Sequence, residues 1–180
     1  MKLYLAPLEG ITNHIYRKAL YECFGGFDKY FIPFIRAKQN LNFSGREKKD
    51  IDPENNQGMY AVPQILTRNA EDFLHTASQL AGLGYQEINL NLGCPSKTVV
   101  TKGCGAGFLE RPDELERFLD YIFANTDLKI SIKTRLGMDD AEEFKDLLEI
   151  YNRFPLEELI VHPRVQKDFY KNIPNLEAFE

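Results

Sequence analysis

The chain has 180 residues, of which 43% are hydrophobic and 27% charged, and it carries a formal net charge of −5 at pH 7. This is the make-up of one globular domain with its own apolar core, and it excludes a disordered or fibrous chain. The acidic balance argues against a general nucleic-acid coat, while a local basic face stays compatible with it.

Six short apolar runs recur, several followed by a segment of helical periodicity. The first is Leu3 to Pro7, after which Thr12 is placed to cap a helix through Glu22 with Ile15, Ala19 and Leu20 on one face. The second is Lys29 to Phe34. A long polar connection, Arg36 to Gly58, follows it, with turn signals at Ser44-Gly45 and Asp52-Pro53. The third is Ala61 to Leu66, leading to a helix from Asn69 to Leu83 with Phe73, Leu74, Ala77 and Leu80 at helical spacing. The fourth, Glu87 to Leu92, breaks at Gly93-Cys94-Pro95 into a glycine-studded segment. A helix from Pro112 to Ala124 comes next, with proline in the first turn, where its missing N–H costs nothing. The fifth is Lys129 to Thr134 with a helix over Ala141 to Arg153, and the sixth is Glu158 to His162, after which the chain is expected to enter another helix.

Strands alternating with helices at roughly 30 residues per unit imply a parallel sheet of α/β class. An open dinucleotide-binding sheet calls for Gly-x-Gly-x-x-Gly after its first strand, and Pro7-Leu8-Glu9-Gly10 stands there instead. Polar residues gather at the C-terminal ends of several strands: Gln64, Asn91, Lys133 with Arg135, and His162 with Arg164. That is the layout of a (β/α)₈ (TIM) barrel. The expectation is therefore a single partial barrel over residues 1–180, with about six βα units and without the last two strands. Its open edges would invite self-association.

The three cysteines, Cys23, Cys94 and Cys104, are odd in number and irregularly spaced. Reduced thiols in a cytoplasmic setting are expected, and no metal site, since no Cys-x-x-Cys or paired histidines accompany them. No apolar run approaches the roughly 18 residues that span a bilayer, and the stretch before Pro7 is too short for a signal-peptide core. Cys23 reads as a small buried hydrophobe on a helix face, and His14 and His75 as helix-surface residues. Lys133 alternates with Ile132 and Thr134, so it points into the top of the barrel and needs a counter-charge there. Two readings of Lys102 to Gly107 stand side by side: a flexible lid, or tight packing against the next helix. Cys104 acquires no role.

"LAPLEGIT" at 5–12, "VPQIL" at 62–66, "NLNLGCP" at 89–95, "IKTRLG" at 132–137 and "VHPR" at 161–164 together resemble the tRNA-dihydrouridine synthase family over essentially the whole chain. The resemblance implies an FMN-dependent barrel that reduces the C5=C6 bond of uridine in tRNA with electrons from NADPH. It makes Cys94 the proton donor, a role that suits a thiol whose ordinary pKa near 8.5 leaves it mostly protonated at neutral pH. It places Pro7, Leu8, Gln64, Lys133 and His162 around the FMN, with Lys133 facing the anionic reduced ring. It assigns Asn91 to the uracil edge, and Arg135 and Arg164 to the nucleotide or its phosphates, although either arginine could equally form a surface ion pair. It also implies that a C-terminal helical domain is absent here. The competing readings are an FMN barrel acting on a free pyrimidine-like substrate and a non-catalytic RNA-binding remnant.

Overall fold

The computed structural model describes residues 1–37 and 42–179, apart from the side chain of Phe179. Six parallel strands lie side by side in chain order, β1 Tyr4–Leu5, β2 Lys29–Arg36, β3 Ala61–Leu66, β4 Glu87–Leu92, β5 Lys129–Arg135 and β6 Glu158–His162. The helices between them are α1 His14–Cys23, α2 Gly45–Ile51, α3 Ala70–Gly82, α4 Lys97–Val100, α5 Pro112–Ala124 and α6 Glu143–Tyr151. Among the described residues no helix is long and apolar enough to cross a membrane.

Neighbouring strands stand about 4.8 Å apart, so in a flat sheet of this order β1 and β6 would be separated by roughly 24 Å. Here the Tyr4 hydroxyl on β1 donates to Glu158 on β6, and Lys29 Nζ on β2 reaches Glu158 Oε2 at 2.8 Å. The sheet is therefore strongly curled, and the first and last strands face each other across a lumen. Lys29 also donates to both oxygens of Glu87 on β4, at 3.0 and 2.8 Å, and Tyr60 donates to Glu87 Oε2 at 3.0 Å. One ammonium, two carboxylates and two phenols thus form a floor at the N-terminal ends of the strands. Burial alone would push the Lys29 ammonium down, but its bonds to Glu158 and Glu87 outweigh that and raise it.

The alternation in β4, Glu-Ile-Asn-Leu-Asn-Leu, and in β5, Lys-Ile-Ser-Ile-Lys-Thr-Arg, now has a direction. The polar set lines the lumen, and Ile88, Leu90, Leu92, Ile130 and Ile132 face outward into the core shared with α3, α5 and α6. Phe73, Phe118 and Phe108 anchor that core edge to face, with ring centroids 5.8 and 5.5 Å apart. In β2 the register advances three residues, Ile32 to Ile35, against two in β3, Pro63 to Ile65, which is a bulge at Pro33-Phe34.

Several expectations need correction. Helix α1 is capped by Asn13, whose side chain accepts from Tyr16 N, and not by Thr12. Its buried residue is Arg17, fully enclosed, while Ile15 is 67% exposed and Cys23 is exposed as well. Arg17 donates to Thr12 O, Asp50 O and Asn56 Oδ1, so hydrogen bonds seat this helix in place of an apolar stripe. The connection after β2 contains α2, and its turn signals are helix caps: Ser44 and Glu47 form a capping box, and Asp52 caps a short 3₁₀ turn at Pro53–Asn56. Residues 38–41 of that connection lie outside the described residues. His14 is half-buried, its Nδ1 3.2 Å from Asp50 Oδ1. After β6 the described chain forms two short 3₁₀ turns, Gln166–Asp168 and Leu176–Phe179, in place of the expected α-helix.

Candidate active site at the mouth of the lumen

The C-terminal ends of the strands open into a cleft of about 370 Å³. Pro7, Leu8, Gln64, Asn91, Cys94, Lys133, Arg135 and His162 all line it. Arg164 does not. It stands behind His162, donating from Nη1 to His162 Nε2 at 2.8 Å and from Nε to Asn172 O at 2.6 Å. The cleft also takes in Glu9, Phe34, Phe169 and Tyr170, which sequence reasoning did not single out. Phe34 enters because of the bulge in β2. Phe169 is the one non-glycine with positive φ (50°) among the described residues, a strained corner that delivers Tyr170 to the mouth.

Cys94 sits just past β4 in a turn made by Asn91, whose Oδ1 accepts from Gly93 N at 3.1 Å and Cys94 N at 2.9 Å. The thiol is half-buried, and burial raises its pKa above the ordinary thiol value, with Glu9 adding in the same direction. At neutral pH the thiol is protonated and is no thiolate nucleophile. The glycine loop beside it is packed, not open. A Cβ on Gly105 would lie 2.8 Å from Cys94 O, and one on Gly107 would lie 2.6 Å from Val100 O. Lys102 to Gly107 is therefore packed tightly, as one of the two readings had it, but against the Cys94 turn and α4 before it and not against the next helix. Cys104 is half-buried in the same loop.

The wall beside it, on the neighbouring strand β5, is cationic. Burial and then the neighbouring Arg135 lower Lys133 to about 8, and no carboxylate among the described residues pairs with it. His162 is lowered to about 4 by burial, Arg135, Lys133 and Arg164. It is neutral at pH 7, and because a guanidinium can only donate to Nε2, the ring proton is on Nδ1. Arg135 is 1% exposed and is no surface ion pair. Its Nε donates to Gly93 O at 2.8 Å and its Nη1 to Val165 O at 3.0 Å, joining the Cys94 turn to the loop after β6, while the Tyr170 ring covers it at 5.3 Å. Its Nη2 is buried with no hydrogen-bond partner among the described residues. An orphaned guanidinium N–H and an uncompensated ammonium in one cleft are donors awaiting an acceptor-rich, anionic ligand.

The family model described as dihydrouridine synthase (Dus) matches residues 4–178. This chain belongs to the dihydrouridine synthase family. It is 31% identical over 179 residues to a protein of Staphylococcus aureus (strain COL) named probable tRNA-dihydrouridine synthase, covering 98% of this chain and 53% of that one. It is also 31% identical over 178 residues to the tRNA-dihydrouridine(16) synthase of Cupriavidus necator, covering 94% of this chain and 55% of that one. The chain thus spans about half the length of the curated relatives it matches. In fold it resembles a truncated 3-deoxy-D-arabino-heptulosonate 7-phosphate synthase from Thermotoga maritima, with a TM-score of 0.53, 16% identity, and coverage of 99% of this chain and 57% of that one. Among the described residues no group of three or more His, Cys, Asp or Glu side chains could hold a metal ion.

Proposed function

We propose that the mouth is the FMN and uridine site of a tRNA-dihydrouridine synthase, and that this chain forms the six-strand share of its barrel. The observation that carries the reading is the gathering in one cleft of a protonated Cys94 and, on the neighbouring strand, two donors without an acceptor among the described residues, the Lys133 ammonium and Arg135 Nη2. The residues fit FMN. Pro7, Leu8 and Phe34 supply apolar surface for a planar ring, Gln64 and neutral His162 supply hydrogen bonds, and Lys133 supplies the positive charge that a reduced ring needs. When bound, FMN supplies the two-electron reduction, and NADPH replenishes it.

The chain's own residues then do the following. Cys94 gives its proton to C5 of a uracil ring as the C5=C6 bond is reduced. Asn91 donates an amide hydrogen to a ring carbonyl, while its oxygen holds the Cys94 backbone at the same time. Arg135 offers Nη2 to the uracil or its ribose, and Arg164 keeps His162 in the neutral tautomer. The soluble cytoplasmic setting of tRNA modification completes the reading.

The test uses unmodified tRNA with FMN and NADPH, with dihydrouridine as the readout. Cys94→Ala is expected to lower turnover by roughly 10²-fold or more while FMN binding persists. Full turnover by Cys94→Ala would remove the cysteine from the mechanism. Reduction of free uracil in preference to tRNA would favour the free-pyrimidine reading.

A further inference from the structure

Four side chains on three strands form one hydrogen-bonded chain across the lumen. Gln64, Asn89 and Ser131 are register partners on β3, β4 and β5, and Asn91 stands one inward step further along β4. Asn91 is 8% exposed and the other three 1% or less. The direction of every amide in this chain is determined. Asn91 Oδ1 accepts from two backbone N–H groups, Gly93 and Cys94, which can only donate. Asn91 Nδ2 is therefore turned to Gln64, whose Oε1 accepts at 2.7 Å. That turns Gln64 Nε2 toward β4, where Asn89 answers with Oδ1 at 2.7 Å. Asn89 Nδ2 then donates to Ser131 Oγ at 2.9 Å.

We propose that Asn89 is a positioning residue for the reaction at the mouth. It holds the Gln64 amide, and through it the Asn91 amide and the Cys94 turn, in the one polarity that shows N–H donors to a bound ring. Each amide nitrogen has a second hydrogen, and Gln64 and Asn91 both line the cleft. With Lys133, Arg135 Nη2 and His162 Nδ1–H, the wall that meets the ligand is then made of donors. Such a wall selects the carbonyl edge of a dione-type ring, and a ring presenting an amino group there would meet donors with a donor. Asn89 touches no ligand and acts only through its neighbours. Without its acceptor, Gln64 can turn about its two-fold terminal torsion and show Oε1 to the cleft, which releases its hold on Asn91.

The amide order stands on geometry alone, while its service to the reaction rests on the reading of the mouth proposed above. Its test therefore needs neither flavin nor RNA. Side-chain amide signals of Gln64 and Asn91 are followed by ¹⁵N NMR in the 180-residue chain, together with site-resolved alkylation of Cys94 by iodoacetamide. In the wild type both amides should exchange slowly with solvent. Asn89→Leu keeps the volume and removes the acceptor. It should release both amides and speed Cys94 alkylation roughly tenfold, the size expected when one buried hydrogen bond stops holding a local conformation. Asn89→Asp should restore slow exchange, because a carboxylate accepts from Gln64 and the Ser131 hydroxyl can turn to donate. A merely structural Asn89 would give equal losses in Leu and Asp variants, spread over β4, and that result overturns the proposal. So does an Asn89→Leu chain whose Gln64 and Asn91 amides remain protected. Should Asn89→Leu fail to fold, Asn89→Asp and Ser131→Ala decide: protection kept in the first and weakened in the second supports the proposal, and any other pattern refutes it.

Discussion

Replacing Lys29 by Met probes what keeps the sheet curled. The change keeps most of the side-chain volume but leaves Glu87, with 1% of its side chain exposed, facing Glu158, at 24%, with no cation between them. Removing one partner of a buried ion pair costs about 3–5 kcal/mol, because the partner stays buried and uncompensated. The partial exposure of Glu158 places this case at the lower end, about 3 kcal/mol, or a melting temperature lower by roughly 6–12 °C for a domain of this size. The pH dependence is diagnostic. In the wild type the Lys29 pKa is raised, so its contribution is fully present below the unfolded value of about 10.4 and is lost only as pH rises through the folded one. The Glu158 pKa is lowered, since its bonds to Lys29 and Tyr4 outweigh burial. Its contribution is present above the unfolded value of about 4.3 and is lost as pH falls through the folded one. Neither changes between about pH 5 and pH 7.5. In the variant the two crowded carboxylates take up a proton as pH falls, so the stability gap to wild type should narrow over that window. Urea unfolding followed by far-ultraviolet circular dichroism at both pH values measures it. A loss below about 1 kcal/mol, typical of exposed pairs, or a gap independent of pH, would refute the account of the floor.

Lys133→Met should stabilise the chain near neutral pH while weakening FMN binding, since it removes a buried amine that only a ligand compensates. The folded pKa of about 8 lies below the unfolded value of about 10.4, so wild-type stability should gain from this group as pH rises between them. The variant should lack that gain, and a wild-type-minus-variant curve that is flat across the window would contradict it. Gly107→Ala places a methyl 2.6 Å from Val100 O, a backbone atom, and should cost about 1–3 kcal/mol by urea unfolding. An unchanged midpoint would reopen the lid reading of that loop.

The short apolar runs of β3, β4 and β6 and the proline start of α5 made those elements legible in the sequence. Their shared direction then placed Gln64, Asn91, Lys133 and His162 together, because parallel strands in one sheet bring their C-terminal ends to one face. Asn89 shares the inward face of Asn91, yet it lies below the strand end, and nothing local in the sequence marks its bonds to Gln64 and Ser131 on the neighbouring strands. The floor was illegible for a similar reason: Lys29, Glu87 and Glu158 sit far apart in sequence, and nothing local marks them as a set. Helix α1 misled because its apolar spacing is real, yet Arg17, held by hydrogen bonds, is what the fold buries. Tyr170 followed the last strand without any periodic signal and reached the mouth through the strained corner at Phe169.

The central claim is that the mouth binds FMN, and the most direct test is a titration of the purified 180-residue chain with FMN, following flavin fluorescence and the visible absorption band. The account predicts saturable, stoichiometric quenching with a displaced band, weakened in Lys133→Met. Absence of saturable quenching by the wild type, or quenching indifferent to Lys133→Met, would contradict it.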